Sequence, residues 1–383
     1  MELAFWSCLA LAAWAYVGYP ACLAVLARAR RRTLRHAAIE PTVTVIVCAH
    51  NEEKDIGAKL DATLALDYPP SRLEVIVASD CSTDRTHEIV RGFESRGVRL
   101  VALPERRGKT AAQNAAVREA RGEVLVFTDA TTRFRPGMVR TLVAPLADPR
   151  VGCVGAELEY VSEAGSLVGK GGGLYWRYEK KVKELESEVN SLIGVSGCLY
   201  ATRAALYRPI EADLISDFTI VLDTFAQGYV TAYARGTVSV EKTNEDTGRE
   251  FEMRTRVVIR TIHALVRRAR MLNPLRYGLF AFQLWSHKVA RYLVPELLAG
   301  ALVASLVLAA RSWPRAPLFQ ALATLQVAGY LGAAALWWAS RQFGLRATVL
   351  SAPIYFVQVN AAATWGLLSY LRGERKITWT TAR

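Results

Sequence analysis

The sequence predicts an α/β domain with a parallel, Rossmann-like sheet, flanked by transmembrane helices. Three observations lead there. Between Pro41 and about Met271 the hydrophobic period switches repeatedly between strand and helix. Outside that region the apolar residues gather in blocks near the length that crosses a bilayer. Inside it, short polar clusters fall at the ends of the strand runs, where open α/β sheets bind ligands.

The first block, Leu3 to Ala27, is long, apolar and preceded by one acid, Glu2. It lacks a basic n-region and is too long for the core of a signal peptide. Arg28, Arg30, Arg31, Arg32 and Arg35 follow at once. The positive-inside tendency then puts the N-terminus outside and the next domain in the cytoplasm. The 383 residues carry a formal net charge of +13, and much of it lies beside apolar blocks. That placement favours contact with a membrane face over nucleic acid. Six cysteines form no CxxC pair and have no histidine at zinc-ligand spacing. They read as reduced, mostly buried thiols in a reducing compartment.

In the middle region, Thr42–Cys48 reads as a strand and Lys54–Leu66 as a helix. Leu73–Ala78, Val98–Leu103 and Glu123–Thr128 are further strands, with helices over Asp84–Ser95 and Lys109–Ala120 between them. Continuous apolar strands alternating with amphipathic helices mean βαβ units and a sheet covered on both faces. The glycine run 169–173 reads as a flexible loop ahead of a helix over Leu174–Asn190. No strand feeds it and its spacing is wrong for a dinucleotide fingerprint.

Several side chains suit chemistry. Asp80 ends a buried strand, and Asp84 ends the turn that follows it; one of this cluster must cap the next helix. Asp80 itself either caps or touches ligand. Asp129 closes the run Val124–Thr128, where a carboxylate can hold a hard divalent cation or serve as a strand-end cap. Arg107-Gly108-Lys109-Thr110 resembles the end of a phosphate loop, but Leu103 stands where a P-loop needs glycine. Lys109 at a helix start still suits an anion. Asp217 precedes an apolar helical run; it fits a general base with a raised pKa, or a helix cap. Arg254, Arg256 and Arg260, with Arg267, Arg268 and Arg270, suit anionic headgroups, and one or two of them a leaving diphosphate.

Taken together, these residues resemble the family 2 glycosyltransferases, in the bacterial membrane branch related to cellulose, chitin, poly-N-acetylglucosamine and hyaluronan synthases. The similarity rests on Val45–Glu53, Glu74–Asp84, Arg106–Lys109 with Gln113-Asn114, Phe127–Ala130, Gly197–Arg203, Asp217-Phe218 and Ser286–Arg291. It implies a GT-A fold, a nucleotide-diphosphate-sugar donor, Mg2+ or Mn2+, and inversion at the anomeric carbon. By the same resemblance Glu52 and Asp80 contact the nucleoside, Lys109 the donor and Arg256 the diphosphate. Asp129 binds the metal and Asp217 is the base. Two positions depart from the family. Thr131 replaces the second acid of Asp-x-Asp, and the QxxRW motif reads Met253-Arg254-Thr255-Arg256-Val257.

The domain expectation is a transmembrane helix over 1–28, a cytoplasmic GT-A domain over 41–271 and an interfacial amphipathic segment over 272–292. Three transmembrane helices follow over 293–371, and a tail over 372–383. Four spans put the C-terminus outside, against the preference of Arg372, Arg375 and Lys376 for the inside. The functional expectation is an inverting hexosyltransferase of the inner membrane. It moves sugar from a UDP-hexose or UDP-N-acetylhexosamine to a growing polysaccharide. The alternatives are a single transfer to a lipid or lipid-linked acceptor, and an inactive sugar-nucleotide-binding regulator. Membrane lipids are expected partners; nucleic acid is not.

Overall fold

The computed structural model describes residues 1–378 except 31, 162–166, 243–246, 312–316 and 344–347. Among the described residues, eight strands form one sheet. They are β1 Val43–Ala49, β2 Leu73–Ser79, β3 Val98–Ala102, β4 Val124–Asp129, β5 Arg133–Phe134, β6 Val151–Val161, β7 Leu199–Arg203 and β8 Val230–Lys242. The helices are α1 Glu2–Ala29, α2 Ile56–Leu64, α3 Thr86–Arg91, α4 Lys109–Glu119, α5 Met138–Val143, α6 Leu167–Val189, α7 Ser216–Ala226, α8 Thr247–Arg267, α9 Pro274–Arg311, α10 Pro317–Phe343 and α11 Thr348–Leu371.

The strand order is β3-β2-β1-β4-β7-β6-β8-β5. The first four strands are parallel, as the βαβ alternation predicts; β7 then pairs antiparallel with both β4 and β6. All seven residues of β1 are buried. Val43, Val45, Val47 and Ala49 enter one core, while Ile46 enters the other with Ile76, Leu125 and Phe127. Successive strand side chains point to opposite faces, so a strand with helices on both sides must be apolar throughout. This is a GT-A-like mixed sheet.

Register decides where the loops meet. Ala49 lies opposite Ser79, and Cys48 opposite Asp129. The segments 50–53, 80–84 and 129–132 therefore leave the sheet at one edge. Because β7 is antiparallel, with Thr128 opposite Leu199, its start brings Gly197-Cys198 to the same edge. The end of β8 arrives there too, since Arg133 pairs with Val240.

The glycine run at 169–173 lies inside α6, not in a loop. Local propensity disfavours glycine in helices by about 1 kcal/mol each. Packing of α6 against α1 and α11 overrides it. Two of the six free cysteines, Cys48 and Cys153, are buried; the other four are partly exposed.

Among the described residues, three helices are long and apolar enough to cross a membrane by length and composition: Glu2–Ala29, Pro274–Arg311 and Pro317–Ala339. The stretch 272–292 is mostly helical and runs through a π-turn at Trp285–Val289 into the rest of α9. α1 carries its own π-turn at Trp14–Gly18, and Trp14 Nε1 donates to Ser286 Oγ across the pair at 3.1 Å. A buried polar knot fills the space beneath. Glu179 pairs with Arg291 and His287, and Glu186 accepts from Tyr19 Oη at 2.6 Å while contacting His287 Nδ1 at 2.6 Å. α11 lies along α8, where a Cβ on Gly366 would touch Val258 Cγ1 at 2.6 Å. The tail then folds back to the α/β domain. Arg375 stands 3.8 Å from Asp213, and the Ile377 carbonyl lies against Gly108.

Candidate active site

The loops after β1 and β2 are built on two left-handed residues, Asn51 and Cys81, both with φ of 55°. Asparagine tolerates this region; cysteine holds it only where surroundings over-determine it. Here they do: Asn51 N–H donates to Ser82 Oγ at 3.1 Å, and Asn51 Oδ1 accepts from Thr83 N–H at 2.8 Å. Asp84 does the capping, its Oδ1 accepting from Thr86 N–H at 3.0 Å. Glu52 is buried; its N–H donates to Thr86 Oγ1 at 2.8 Å, and its carbonyl accepts from Asp55 and Ile56 at the start of α2.

Asp80 is fully buried. Its Oδ1 accepts from the N–H groups of Arg107 at 2.7 Å and Gly108 at 2.9 Å, and Arg106 Nε stands 3.9 Å from Oδ2. One carboxylate oxygen thus anchors the loop ahead of α4, while Oδ2 has no hydrogen bond among the described residues. Gly108, with φ of 90°, turns that loop so that α4 starts at Lys109.

Lys109 links the halves of the site. Its ammonium pairs with Asp129 and donates to the Gly197 carbonyl at 3.1 Å. Nearby carboxylate charge raises its pKa in spite of burial. Beyond Gly197 stands Asp217 at the start of α7. A Cβ on Gly197 would lie 2.9 Å from Asp217 Oδ2 and 3.7 Å from Lys109 Nζ. Burial raises the Asp217 pKa, and Lys109, Lys288, Arg260 and Lys183 partly offset that rise.

Arg256 on α8 is close enough to feel Asp129 and Arg106, and burial lowers its pKa. It makes no hydrogen bond or ion pair among the described residues. Its neighbours on α8 are committed to structure. Arg254 bonds Glu250 at 2.7 Å and also Tyr355 Oη; Arg260 donates to Thr110 Oγ1 at 2.8 Å and to the Leu214 carbonyl. The sheet edge thus gathers Asp80, Lys109, Asp129, Arg256 and Asp217, with Glu52 in the adjoining loop.

Sequence reasoning missed two residues here. Glu241, at the end of β8, accepts from Thr131 Oγ1 at 3.2 Å and pairs with Thr132 Oγ1. Burial and the charge of Asp129 raise its pKa. Lys59, on the inner face of α2, donates to Thr128 Oγ1 at 2.9 Å and to the Thr132 carbonyl at 2.6 Å. Burial pulls its pKa down to about 7. The available signal was Lys59 standing among Ile56, Leu60 and Thr63 at helical spacing. Nothing local marked Glu241.

A family model described as glycosyl transferase family 2 matches residues 44–208. That match spans less than half of the chain. Over 134 residues the chain is 34% identical to a probable glycosyltransferase of Bacillus subtilis, YdaM, covering 33% of this chain and 32% of that protein. Over 99 residues it is 37% identical to a dolichyl-phosphate β-glucosyltransferase of Trichomonas vaginalis, covering 24% of this chain and 29% of that protein. The chain thus matches about a third of the length of these relatives. A mannosyltransferase of Pyrobaculum calidifontis, solved with GDP-mannose and Mn2+, superposes over 97% of this chain and 100% of its own, with a TM-score of 0.72 at 24% identity. That likeness is one of fold, and it extends beyond residues 44–208 to the flanking helices.

Proposed function

We propose that the chain is an inverting membrane glycosyltransferase that uses a nucleotide-diphosphate sugar. The observation that carries this reading is the continuous contact from Asp129 through Lys109 and Gly197 to Asp217. It sets a cation for the donor phosphates beside a carboxylate whose burial suits it to accept a proton. Asp217 takes the proton of the acceptor hydroxyl, and that oxygen attacks the anomeric carbon from the face opposite the diphosphate. Lys109 and Arg256 stabilise the charge that develops on the leaving group. Glu52 and Asp80 line the nucleoside side of the cleft.

Asp129, Glu241 and the Thr131 hydroxyl form an oxygen-donor set that fits a hard divalent cation, Mg2+ or Mn2+. Glu241 takes the place of the acid that Thr131 replaces. When bound, such an ion neutralises diphosphate charge.

Three apolar helices and a tail resting on the α/β domain support a topology with three crossings. α11 then lies along α8 at the interface, and the tail shares the cytoplasmic side with the domain, which agrees with its basic residues. The acceptor read first from the sequence is a growing polysaccharide. The altered QxxRW motif, with partly exposed Val257 in place of tryptophan, favours single transfer to a lipid or lipid-linked acceptor.

The test is release of nucleoside diphosphate from purified protein across UDP-, GDP- and dTDP-sugars, with Mg2+, Mn2+ or EDTA and lipid extract. Metal-dependent release with one sugar supports the reading. Tight donor binding without turnover in any arm would instead favour an inactive regulator.

A further inference from the structure

A chain of hydrogen bonds ties the loops after β1 and β2 to a histidine outside them. Asn51 N–H donates to Ser82 Oγ at 3.1 Å. Ser82 Oγ lies 2.9 Å from Ser79 Oγ, and Ser79 Oγ lies 2.7 Å from Nε2 of His87. Both serines are buried, and His87, in the first turn of α3, is partly buried. The site as described so far gives His87 no task.

Counting hydrogens fixes the direction of the chain. Each hydroxyl has one hydrogen to give. A backbone N–H can only donate, so Ser82 Oγ accepts from Asn51, and Ser79 Oγ accepts from Ser82 N–H at 3.4 Å. If Ser82 Oγ–H donates to Ser79 Oγ, and Ser79 Oγ–H to His87 Nε2, every hydrogen is used. If His87 donated instead, Ser79 would have to give its hydrogen to Ser82. The Ser82 hydroxyl hydrogen would then have no partner among the described residues, in a buried side chain. Leaving a buried donor unmatched costs more than a made bond contributes. His87 Nε2 is therefore the acceptor, the ring proton sits on Nδ1, and the ring is neutral. A protonated ring carries hydrogens on both nitrogens and cannot end the chain this way.

The surroundings agree. Burial first, and then Arg91 one turn along α3, lower the His87 pKa, against the pull of Asp84. No charge from α2 or β3, the elements packed on α3, acts on it. The far end of the chain holds strained backbone. Asn51 and Cys81 are both left-handed, which such residues keep only where the surroundings enforce it. Asn51 precedes Glu52, and Cys81 follows Asp80 and precedes Ser82. Glu52 and Asp80 are the acids that the proposed reading puts beside the nucleoside. Loss of the chain would loosen both of their loops at once.

We propose that His87 is a positioning residue for the donor: as a hydrogen-bond acceptor it directs the chain through Ser79 and Ser82 to Asn51, and so sets the two loops that receive the nucleoside. This rests on the glycosyltransferase reading for its purpose, while the direction of the chain is testable without it. Donor affinity should fall in acid, because protonation of the ring reverses the Ser79 bond and releases the loops.

The experiment titrates the full chain with UDP, GDP and dTDP by calorimetry, with Mn2+ present, at about pH 5 and about pH 8 on either side of the histidine range. The H87Q variant offers an amide oxygen where Nε2 stands and does not titrate. It should keep parental affinity at the higher pH, and it carries the nucleotide's own titration as the control. Against that control the parent should lose affinity severalfold in acid. H87L should bind about tenfold weaker at both values, the scale of coupling through a contact network, with its fold intact by circular dichroism. With a sugar donor that turns over, H87L should raise the donor KM and leave kcat and the acceptor KM unchanged. Nitrogen NMR of labelled histidine, with H87Q identifying the signal, should show the His87 proton on Nδ1 at the higher pH. Parental affinity in H87L, or an acid loss as large in H87Q as in the parent, would overturn the proposal. So would a neutral His87 with its proton on Nε2. If no nucleotide binds the parent, the donor reading fails and takes the role of His87 with it, while a proton on Nδ1 would still establish the chain and its direction.

Discussion

A side chain on Gly197 would collide with Asp217: the Cβ position lies 2.9 Å from Oδ2. The obstacle is the free end of a side chain, not backbone, so the carboxylate can rotate away at little cost to stability. Its aim cannot survive the rotation. G197A should therefore lower kcat by about 100-fold, the scale for an ångström-size misplacement of a reacting group. Its melting temperature should stay within about 2 °C of the parent. Unaltered turnover in G197A would separate Asp217 from the chemistry.

D217N should cut turnover by roughly 100- to 10,000-fold while donor binding survives. On the proposed reading Asp217 is a base that works only when deprotonated. Burial raises its pKa, so the acid limb of the pH–rate profile should lie above the usual aspartate value of about 4. D217N should lose that limb. A limb at the usual aspartate value would contradict the environment described for Asp217.

Lys59 predicts a stability effect of opposite direction. Its folded-state pKa, about 7, lies below the ordinary lysine value. Between the two values the unfolded chain holds the extra proton, so stability rises as pH climbs from about 7 toward about 10. Thermal unfolding at pH 6.5 and 9 should show this rise in the parent, and K59M should flatten it.

Glu179 holds Arg291 and His287 inside the polar knot between α6 and α9. E179Q leaves Arg291 buried without its charge partner. Breaking one side of such a pair costs about 3 kcal/mol or more. The variant should unfold at visibly lower denaturant, and the double variant E179Q/R291M should recover part of the loss.

E241Q tests the second carboxylate. Mn2+ titration followed by electron paramagnetic resonance should show affinity weakened by about tenfold, with the fold intact by circular dichroism. Unchanged Mn2+ affinity in E241Q, alongside its loss in D129N, would leave Asp129 as the sole protein carboxylate on the ion.

The parallel half of the sheet was legible because β1, β2 and β4 are apolar on both faces, and a strand of that kind has one stable environment. Their polar exits at His50–Glu53, Asp80–Asp84 and Asp129–Thr131 marked the edge where a site would form, since burial elsewhere in the strands left no alternative. The sequence by itself also determined the apolar helices, because length and hydropathy are local properties. The tertiary structure alone decided the rest. Nothing local ties Glu241 to Asp129: they meet because β5 pairs with β8 and carries the end of β8 to the exit of β4. The glycines at 169–173 are helical because α1 and α11 pack on α6, a gain that no local propensity can register. Asn51 and His87 stand on separate segments, and only the pairing of β1 with β2 joins them through Ser79 and Ser82. Side-chain pattern fixes what each segment buries. Long-range register fixes which charges meet, and that is where the chemistry of this site resides.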